Sequence, residues 1–259
     1  MPTPKRLVCG AFLVALALAP LSAQTAKQNA PKKPDATMKA DGAKANASGW
    51  TSLFDGKTLN GWRRYNPPGA ATKYTDTSDT LWKVENGMLT VSPSHAGDTK
   101  GGRDIITTGT YREFDLRWEW KIAQGGNSGV KYFVLEDQPS AIGHEYQLID
   151  DERHPDAKIG PHRQTAALYD VFPAHDRPMK KAGEWNTSEV IVKGNHVTHI
   201  LNGKTVLEYD LGSPELKAAV AKSKFKDLAR FGTPVDGHIL LQDHGDQVWY
   251  RKIEIKKTK

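Results

Sequence analysis

The sequence predicts an all-β fold, in which two antiparallel sheets form a sandwich or jelly roll with one short inserted helix. Three observations support this prediction. Apolar and polar residues alternate with a period of two through most of the chain after residue 49. Two Asn-Gly pairs separate short apolar runs, a pattern typical of tight hairpins. The sequence shows no repeat at the spacing of solenoids or propellers, so the strands are expected to form two packed layers.

Each element carries its own signal. In DLRWEWKI, residues 115–122, apolar side chains share one face and charged side chains the other, which indicates a half-buried strand. Asn-Gly at residues 86–87 and 202–203 favours two-residue turns, because both turn positions adopt positive φ. In SPELKAAVAKSKF, Ser213 as N-cap and Pro214 at the first helical position predict one amphipathic helix. With DLRWEWKI, roughly ten strands are predicted in all. The others are WKVE, MLTV, GVKYFVLE, HEYQLID, EWNTSEVIVKG, VTHIL, TVLEYD, GHILLQDH and WYRKIEIK.

Residues 1–23 have the pattern of a secretory signal peptide. Lys5 and Arg6 precede an apolar run, residues 7–21, that is too short to span a bilayer and is followed by small residues. A retained N-terminal anchor stays open, because a leucine stands where the best cleavage sites carry a small residue. Cys9, the only cysteine, lies too early for lipid attachment after cleavage. We therefore expect an exported protein, periplasmic or secreted, with no integral membrane segment after cleavage.

The charge of the chain is concentrated before the domain. Residues 24–48 contain almost nothing apolar larger than alanine and are expected to form a disordered tether, so the domain comprises residues 49–259. Of the formal charge of +6, the two basic residues of the signal supply two, and the five lysines of the tether less Asp35 and Asp41 supply three. One positive charge remains for the domain, so we expect no nucleic-acid partner.

The strand GHILLQDH ends in the polar trio Gln242, Asp243 and His244. An amide, a carboxylate and an imidazole at the end of a core strand predict a functional site on a rigid sheet, since a turn needs only the Gly-Asp that follows. For His244 a structural role stays the alternative.

Several blocks of the domain, taken together, resemble one known family. They are GWTSLFDGKTLNGWR, LWKVENGML, GGNSGVKYF, HEYQLIDD, ALYD, GEWNTSEVIVKGNHVTHILNG, SPELKAAVAKSKFKD and GHILLQDHGDQVWYRKIEIK. The family is that of the 3-keto-disaccharide hydrolases, and the likeness runs from about Gly49 to Lys256. The resemblance implies a concanavalin A-like jelly roll, export from a bacterium, and action on glycosides already oxidised to a ketone at carbon 3. A member that binds sugar without cleaving it stays the alternative.

A ketone at carbon 3 determines the chemistry that such a site must supply. The ketone acidifies the hydrogen on carbon 2, so the protein needs a base, a donor to the enolate oxygen and an acid for the leaving group. The closely paired carboxylates of ordinary glycosidases are not required. HEYQLID fits this expectation, because Glu145 is followed on its face by Gln147 and not by a second carboxylate.

Three residues are candidates for catalysis: Glu145, His244 and His199. Periodicity alone is typical of a solvated face for Glu145 and Gln147. The resemblance instead implies the concave face of the family, where Glu145 is a sugar ligand or base. His199 lies between apolar residues of its strand, so a core position and a proton-carrying role both stay open.

The remaining candidates are predicted to bind substrate, each beside a structural alternative. Asn127 and Ser128 of GGNSG could face a ligand, or the glycines could form a bulged hairpin. Asp150 and Tyr169 border the same region, where strand-end carboxylates suit structural calcium equally well. Trp185 could stack on a sugar or belong to the core.

Arg251 needs an acidic partner, for which Asp243 on the neighbouring strand is the candidate. No resident metal or cofactor is predicted, and the sequence has no phosphate-binding loop, nucleophile elbow or His-Glu-x-x-His motif. His196 and His199 fall on opposite faces of a strand and cannot share a metal. A composite metal site stays open among four scattered histidines, His144, His154, His162 and His175.

Overall fold

A computed structural model describes residues 46–70, 72–78, 80–92, 104–138 and 140–258 of the chain. The predicted signal segment and the predicted tether up to residue 45 lie outside these ranges. Within them, no helix has the length and apolarity needed to cross a bilayer.

The described residues form thirteen strands, one α-helix and two short 3-10 helices. Their bounds are β1 (Thr51–Ser52), β2 (Trp62–Arg64), β3 (Trp82–Glu85), β4 (Met88–Val91), β5 (Ile105–Thr107), β6 (Phe114–Ile122), β7 (Asn127–Val134), β8 (His144–Ile149), the 3-10 helices Asp156–Lys158 and Pro161–Arg163, β9 (Asn186–Lys193), β10 (His196–Leu201), β11 (Lys204–Asp210), α1 (Pro214–Val220), β12 (His238–Leu241) and β13 (Val248–Lys256).

The strands pair in two antiparallel sheets, as the alternation predicts. The large sheet has the order β11-β10-β9-β6-β13-β4-β3, and β1 adds to β13. The small sheet has the order β2-β5-β12-β7-β8. Both Asn-Gly turns are confirmed, with φ of 50° at Asn86 and 48° at Asn202. The predicted two-sheet sandwich with one short helix is therefore confirmed.

The core lies between the inner faces of the two sheets. The predicted inward face of β6 is confirmed, since Trp118 and Trp120 are buried while Arg117 is exposed. Trp118 of the large sheet meets Tyr146 of the small sheet edge to face, with ring centroids 5.1 Å apart. This alternation leaves the outer face of each sheet to the polar side chains.

The helix is shorter than the sequence predicts. Ser213 caps it as expected, its hydroxyl accepting the Leu216 N–H at 3.1 Å, but α1 ends at Val220 and does not continue to Phe225. The reason lies in Ser223, whose hydroxyl donates to the Val220 carbonyl at 2.8 Å and accepts the Phe225 N–H at 3.0 Å. A serine that bonds its own backbone in this way competes with helix continuation.

A chain of hydrogen bonds between buried groups links the two sheets through the core. Its end groups set its direction, because a backbone N–H only donates and a backbone carbonyl only accepts, so each histidine in its neutral form carries its hydrogen on Nδ1. The bonds run from the Gly232 N–H to His144 Nε2 (3.0 Å), from His144 Nδ1 to the Tyr209 hydroxyl (2.7 Å), from Tyr209 to the Tyr132 hydroxyl (2.5 Å), from Tyr132 to His199 Nε2 (2.8 Å) and from His199 Nδ1 to the Ala166 carbonyl (2.8 Å).

Burial sets the charge state of both histidines. It lowers the pKa of His144 to about 3 and that of His199 to about 4, from an ordinary value of 6.5. As the pH falls, His199 therefore binds a proton near pH 6.5 in the unfolded chain but only near pH 4 in the folded chain. Stability is accordingly full above pH 6.5 and is lost as the pH falls toward 4.

We expect His199→Leu to lower the free energy of unfolding by about 2 to 4 kcal/mol at pH 7, because Tyr132 and Ala166 each lose a buried partner. The variant should also lose one titrating proton. Its stability between pH 6.5 and 4 should then fall less steeply than that of the wild type, by about 1.4 kcal/mol per pH unit. Urea denaturation across this range measures both effects.

His196 on the same strand supplies the matched control. It is exposed and lies between Asp210 and Glu208, whose hydrogen bonds raise its pKa. Its stabilising effect is therefore present at low pH and is lost as the pH rises. His196→Gln should leave stability at pH 7 nearly unchanged, and equal losses in the two variants would contradict the role of the buried chain.

Candidate functional site

The outer face of the small sheet carries a recessed polar surface. In β7 and β8, Lys131 stands opposite Glu145 and Gly129 opposite Gln147, while Tyr146 points into the core. Glu145 is only 4% exposed and Gln147 only 1% exposed. The alternative of a solvated sheet face is therefore wrong for these two residues. They lie beneath covering segments and not in open solvent.

Glycine at position 129 makes room for the Glu145 carboxylate. A Cβ atom at Gly129 would lie 2.7 Å from Glu145 Oε1, so the carboxylate rests over the bare backbone of β7. Lys131 Nζ lies 3.5 Å from Glu145 Oε2 and donates to the Ala141 carbonyl at 3.2 Å. The carboxylate thus lies between the backbone of Gly129 and the ammonium group of Lys131.

Three amide oxygens on this face are buried without a hydrogen-bond partner among the described residues: Asn127 Oδ1, Gln147 Oε1 and Gln242 Oε1. Strand alternation puts Asn127 and Gly129 on the same face, and the Gln242 N–H donates to the Gly129 carbonyl at 3.0 Å. An unsatisfied buried carbonyl costs about 1 to 3 kcal/mol. Native proteins keep few such groups, so three together indicate a place where a ligand supplies the donors.

Asp104, which sequence reasoning missed, adds a second carboxyl group. It precedes β5 and stands beside the Gln242 turn, where its Oδ1 accepts the Asp243 N–H at 2.8 Å. Burial raises the pKa of Asp104, against the opposing effect of Lys131. The only sequence signal was a single acidic residue directly before an apolar strand. A desolvated carboxyl with a raised pKa can hold a proton that a fully exposed one would lose.

A wall beside Glu145 is formed by the segment that follows the 3-10 helices. The Tyr169 N–H donates to the Glu145 carbonyl at 3.0 Å, so this segment covers the free edge of β8. The Tyr169 hydroxyl donates to Asp156 Oδ2 at 2.9 Å. Lys224, also missed by sequence reasoning, places its Nζ 4.2 Å from the Tyr169 ring centroid. Tyr169 thus lies beside Glu145, and a role in substrate binding stays a prediction.

Other candidate residues lie elsewhere. Ser128 points into the core, where its hydroxyl contacts the Gln242 carbonyl at 2.8 Å and the Tyr250 hydroxyl at 2.9 Å, because it alternates with Asn127 and Gly129. His199 lies in the buried chain and faces no open surface. His244 is exposed in the turn after β12.

Two more candidates lie on the outer face of the large sheet, away from Glu145. Arg251 pairs with Glu119 at 2.6 Å and not with Asp243, because β13 directs it outward. Its guanidinium lies 4.0 Å from the Trp185 ring centroid, so Trp185 packs against an ion pair.

Asp150 is a structural residue at the end of β8. Its carboxylate accepts the Gly125 N–H at 2.8 Å and the Glu152 N–H at 3.0 Å, which organises the turns on both sides. Within the described ranges, no three or more His, Cys, Asp or Glu side chains are grouped to hold a metal ion.

Two concavities lie away from the Glu145 face. A groove of about 610 Å³ runs along β11, and a hollow of about 300 Å³ lies on the outer face of the large sheet. Neither is lined by a residue of the polar surface described above. The unpaired buried amides distinguish the Glu145 face from both.

The fold and this face define the class of protein, a two-sheet β-sandwich with a recessed polar site on its small sheet. Residues 49–256 match the family described as a 3-keto-alpha-glucoside-1,2-lyase-like domain. The chain belongs to this family, and the resemblance seen in the sequence is confirmed.

Named relatives and solved structures agree with this assignment. A protein of Bacteroides thetaiotaomicron named 3-keto-disaccharide hydrolase is 36% identical over 236 residues, covering 81% of this chain and 79% of the relative. A crystal structure from Parabacteroides distasonis ATCC 8503, provisionally described as a glycosyl hydrolase, is 31% identical with a TM-score of 0.70, covering 82% of this chain and 95% of that one. A second structure from the same organism is 29% identical with a TM-score of 0.58, covering 81% and 99%.

We expect Gln147→Met to raise the free energy of unfolding by about 1 to 2 kcal/mol, because it removes an unpaired buried carbonyl and keeps the side-chain volume. Chemical denaturation measures the change. Asn186→Leu is the control, since this buried amide oxygen accepts the Lys180 N–H at 3.1 Å and the Asn202 amide at 2.8 Å. The control should be destabilised, and a similar loss in Gln147→Met would contradict the assignment of an unpaired group.

Proposed function

We propose that this protein cleaves the glycosidic bond of 3-keto disaccharides or 3-keto glycosides on the outer face of its small sheet. The observation that carries the proposal is the set of three buried, unpaired amide oxygens around Glu145. Sugar hydroxyl groups are the donors that such oxygens lack. The family and the named relative supply the 3-keto sugar as the substrate class.

Glu145 is the proposed base. It takes the hydrogen of carbon 2 as a proton, and the electron pair of that bond forms an enolate with the negative charge on the ketone oxygen. When the ketone reforms, a double bond forms between carbons 1 and 2, and the glycosidic oxygen leaves with the electron pair of its bond to carbon 1. Addition of water, hydroxyl to carbon 1 and hydrogen to carbon 2, completes net hydrolysis. The Gly129 floor holds the base in place.

The leaving oxygen needs a proton, and Asp104 is the proposed donor. Burial raises its pKa, which favours the protonated form. His244, exposed in the neighbouring turn, is the other candidate. The backbones of Asp104 and Glu145 are separated by three strand spacings of about 4.8 Å each. The two groups therefore do not form the close carboxylate pair of an ordinary retaining glycosidase.

A non-catalytic sugar-binding module is the competing function. The burial of Glu145 weighs against it, because a buried carboxylate is costly and the unpaired amides would suffice to bind hydroxyl groups. Binding of a 3-keto sugar without release of product would support the module.

We expect the wild-type protein to release sugar from 3-keto-trehalose and to leave trehalose intact, because only the ketone acidifies the carbon 2 hydrogen. Glu145→Gln should lower kcat on the order of a hundredfold or more. Chromatography of the products measures both. Hydrolysis of plain trehalose would show that the elimination mechanism is wrong.

Gly129→Ala tests the position of the base without changing its charge. The added methyl group meets the end of the flexible Glu145 side chain, so the fold should survive while the carboxylate moves. Activity should fall, and combining it with Glu145→Gln should cost little more than Glu145→Gln alone. Gly237→Ala is the contrasting control, because its Cβ would lie 2.4 Å from the Phe133 backbone and should destabilise the fold.

We also propose that the protein is exported, on the basis of the basic residues and apolar run in residues 1–23. Mass spectrometry of the exported protein should find a chain that begins near Gln24. A retained Met1 would support the N-terminal anchor instead.

A further inference from the structure

The polar face differs in hydrogen-bonding character between its two ends, since only one of them offers acceptor oxygens. We call Asn127, Gln147 and Gln242 the acceptor end, because their buried oxygens, in the amide orientation that the structure assigns, have no partner among the described residues. We call Lys131 and Lys224 the cationic end, because their ammonium groups only donate. The Glu145 carboxylate lies between the two ends.

Lys224 is held beside Glu145 by the wall segment. The backbone N–H of Lys224 donates to Asp170 Oδ2 at 2.8 Å. Its Nζ lies over the ring of Tyr169, whose own N–H binds the Glu145 carbonyl. The position of Lys224 is therefore fixed relative to the base through two backbone hydrogen bonds.

Lys224 is an exposed residue whose ammonium group has no ion-pair partner among the described residues. Within the described part of the chain, its contacts are the rings of Tyr169 at 4.2 Å and Phe225 at 5.1 Å, and no carboxylate lies within ion-pair distance. Desolvation by the neighbouring side chains lowers the pKa of Lys224, and the carboxylates of Glu145 and Asp170 oppose the effect. Lys131, by contrast, already donates to Ala141 and lies against Glu145. Lys224 is thus the cation with donors to offer.

A 3-keto sugar ring also differs in hydrogen-bonding character from one side to another. Its ketone oxygen can only accept hydrogen bonds, whereas its hydroxyl groups can donate. A ketone placed at the acceptor end could accept from the amide nitrogens but could not donate, so it would leave the three buried amide oxygens unpaired, at a cost for each of them. Hydroxyl groups placed there would satisfy them.

We propose, on the basis of the function proposed above, that the oxidised ring binds with its ketone oxygen toward Lys224 and its hydroxyl groups toward Asn127, Gln147 and Gln242. Lys224 then donates to the enolate oxygen as negative charge develops on it. The amides hold the ring in both the ground state and the transition state. Lys224 therefore acts on the chemical step, and the amides act on binding.

The test separates proton removal from binding. Exchange of the carbon 2 hydrogen of a 3-keto glucoside in D2O, followed by NMR, reports proton removal, and kcat and KM are measured on the same substrate. Lys224→Met should lower saturated exchange and kcat on the order of a hundredfold, with KM within about threefold. Gln147→Met and Gln242→Met should raise KM about tenfold or more and leave saturated exchange close to wild type.

Matched controls exclude general damage to the fold. Lys222→Met replaces an exposed lysine two residues away and should change neither exchange nor KM. Lys224→Arg keeps the cation and should recover part of the exchange.

The outcomes that overturn the orientation and the function differ. If Lys224→Met raised only KM while the glutamine variants lost exchange, the ring would bind the other way round and the orientation would be wrong. The same holds if Lys224→Met exchanged as fast as the wild type. If the wild type neither exchanged nor cleaved the 3-keto glucoside, the proposed function itself would fall, and the orientation with it.

Discussion

The hydrogen-bonded chain through the core is the constraint on which the architecture of the site depends. It begins at the Gly232 N–H and ends at the Ala166 carbonyl, and every group between them has its partner. Ala166 belongs to the segment that covers β8 beside Glu145. Gly232 lies in the connection between α1 and β12. The chain therefore anchors two segments beside the polar face, and neutral histidines within it avoid a buried charge.

Strand alternation links the buried hydrogen-bonded chain to the residues of the polar face. Tyr132 and His144 point inward into the chain, and their neighbours Lys131 and Glu145 point outward onto the face. A change of register by one residue would exchange the two sets, so the core chain and the site specify the same register. Gly129 completes the arrangement, because only a residue without a side chain leaves room for the carboxylate.

The face keeps groups that a purely structural surface would not retain. The unpaired amide oxygens and the desolvated Asp104 carboxyl each oppose stability. The large sheet shows the contrast, since its outer face pairs Arg117 with Glu254 at 2.7 Å and Arg251 with Glu119. Among the described residues, three unpaired amide oxygens are grouped on the small sheet, and the outer face of the large sheet has one buried unpaired oxygen, Asp115 Oδ1. The grouping indicates which face evolved for a ligand.

The sequence by itself determined the sandwich, the Asn-Gly turns and the shared face of Glu145 and Gln147, because period-two alternation and turn chemistry are local properties. Tertiary structure decided the rest. Whether His199 faces a site or the core depends on a tyrosine 67 residues away, and the partner of Arg251 is 132 residues away. The roles proposed for Lys224 and Asp104 depend on the residues that the folded chain brings next to them. A sequence pattern predicts which face of a strand a residue occupies, but tertiary packing determines which residues contact that face.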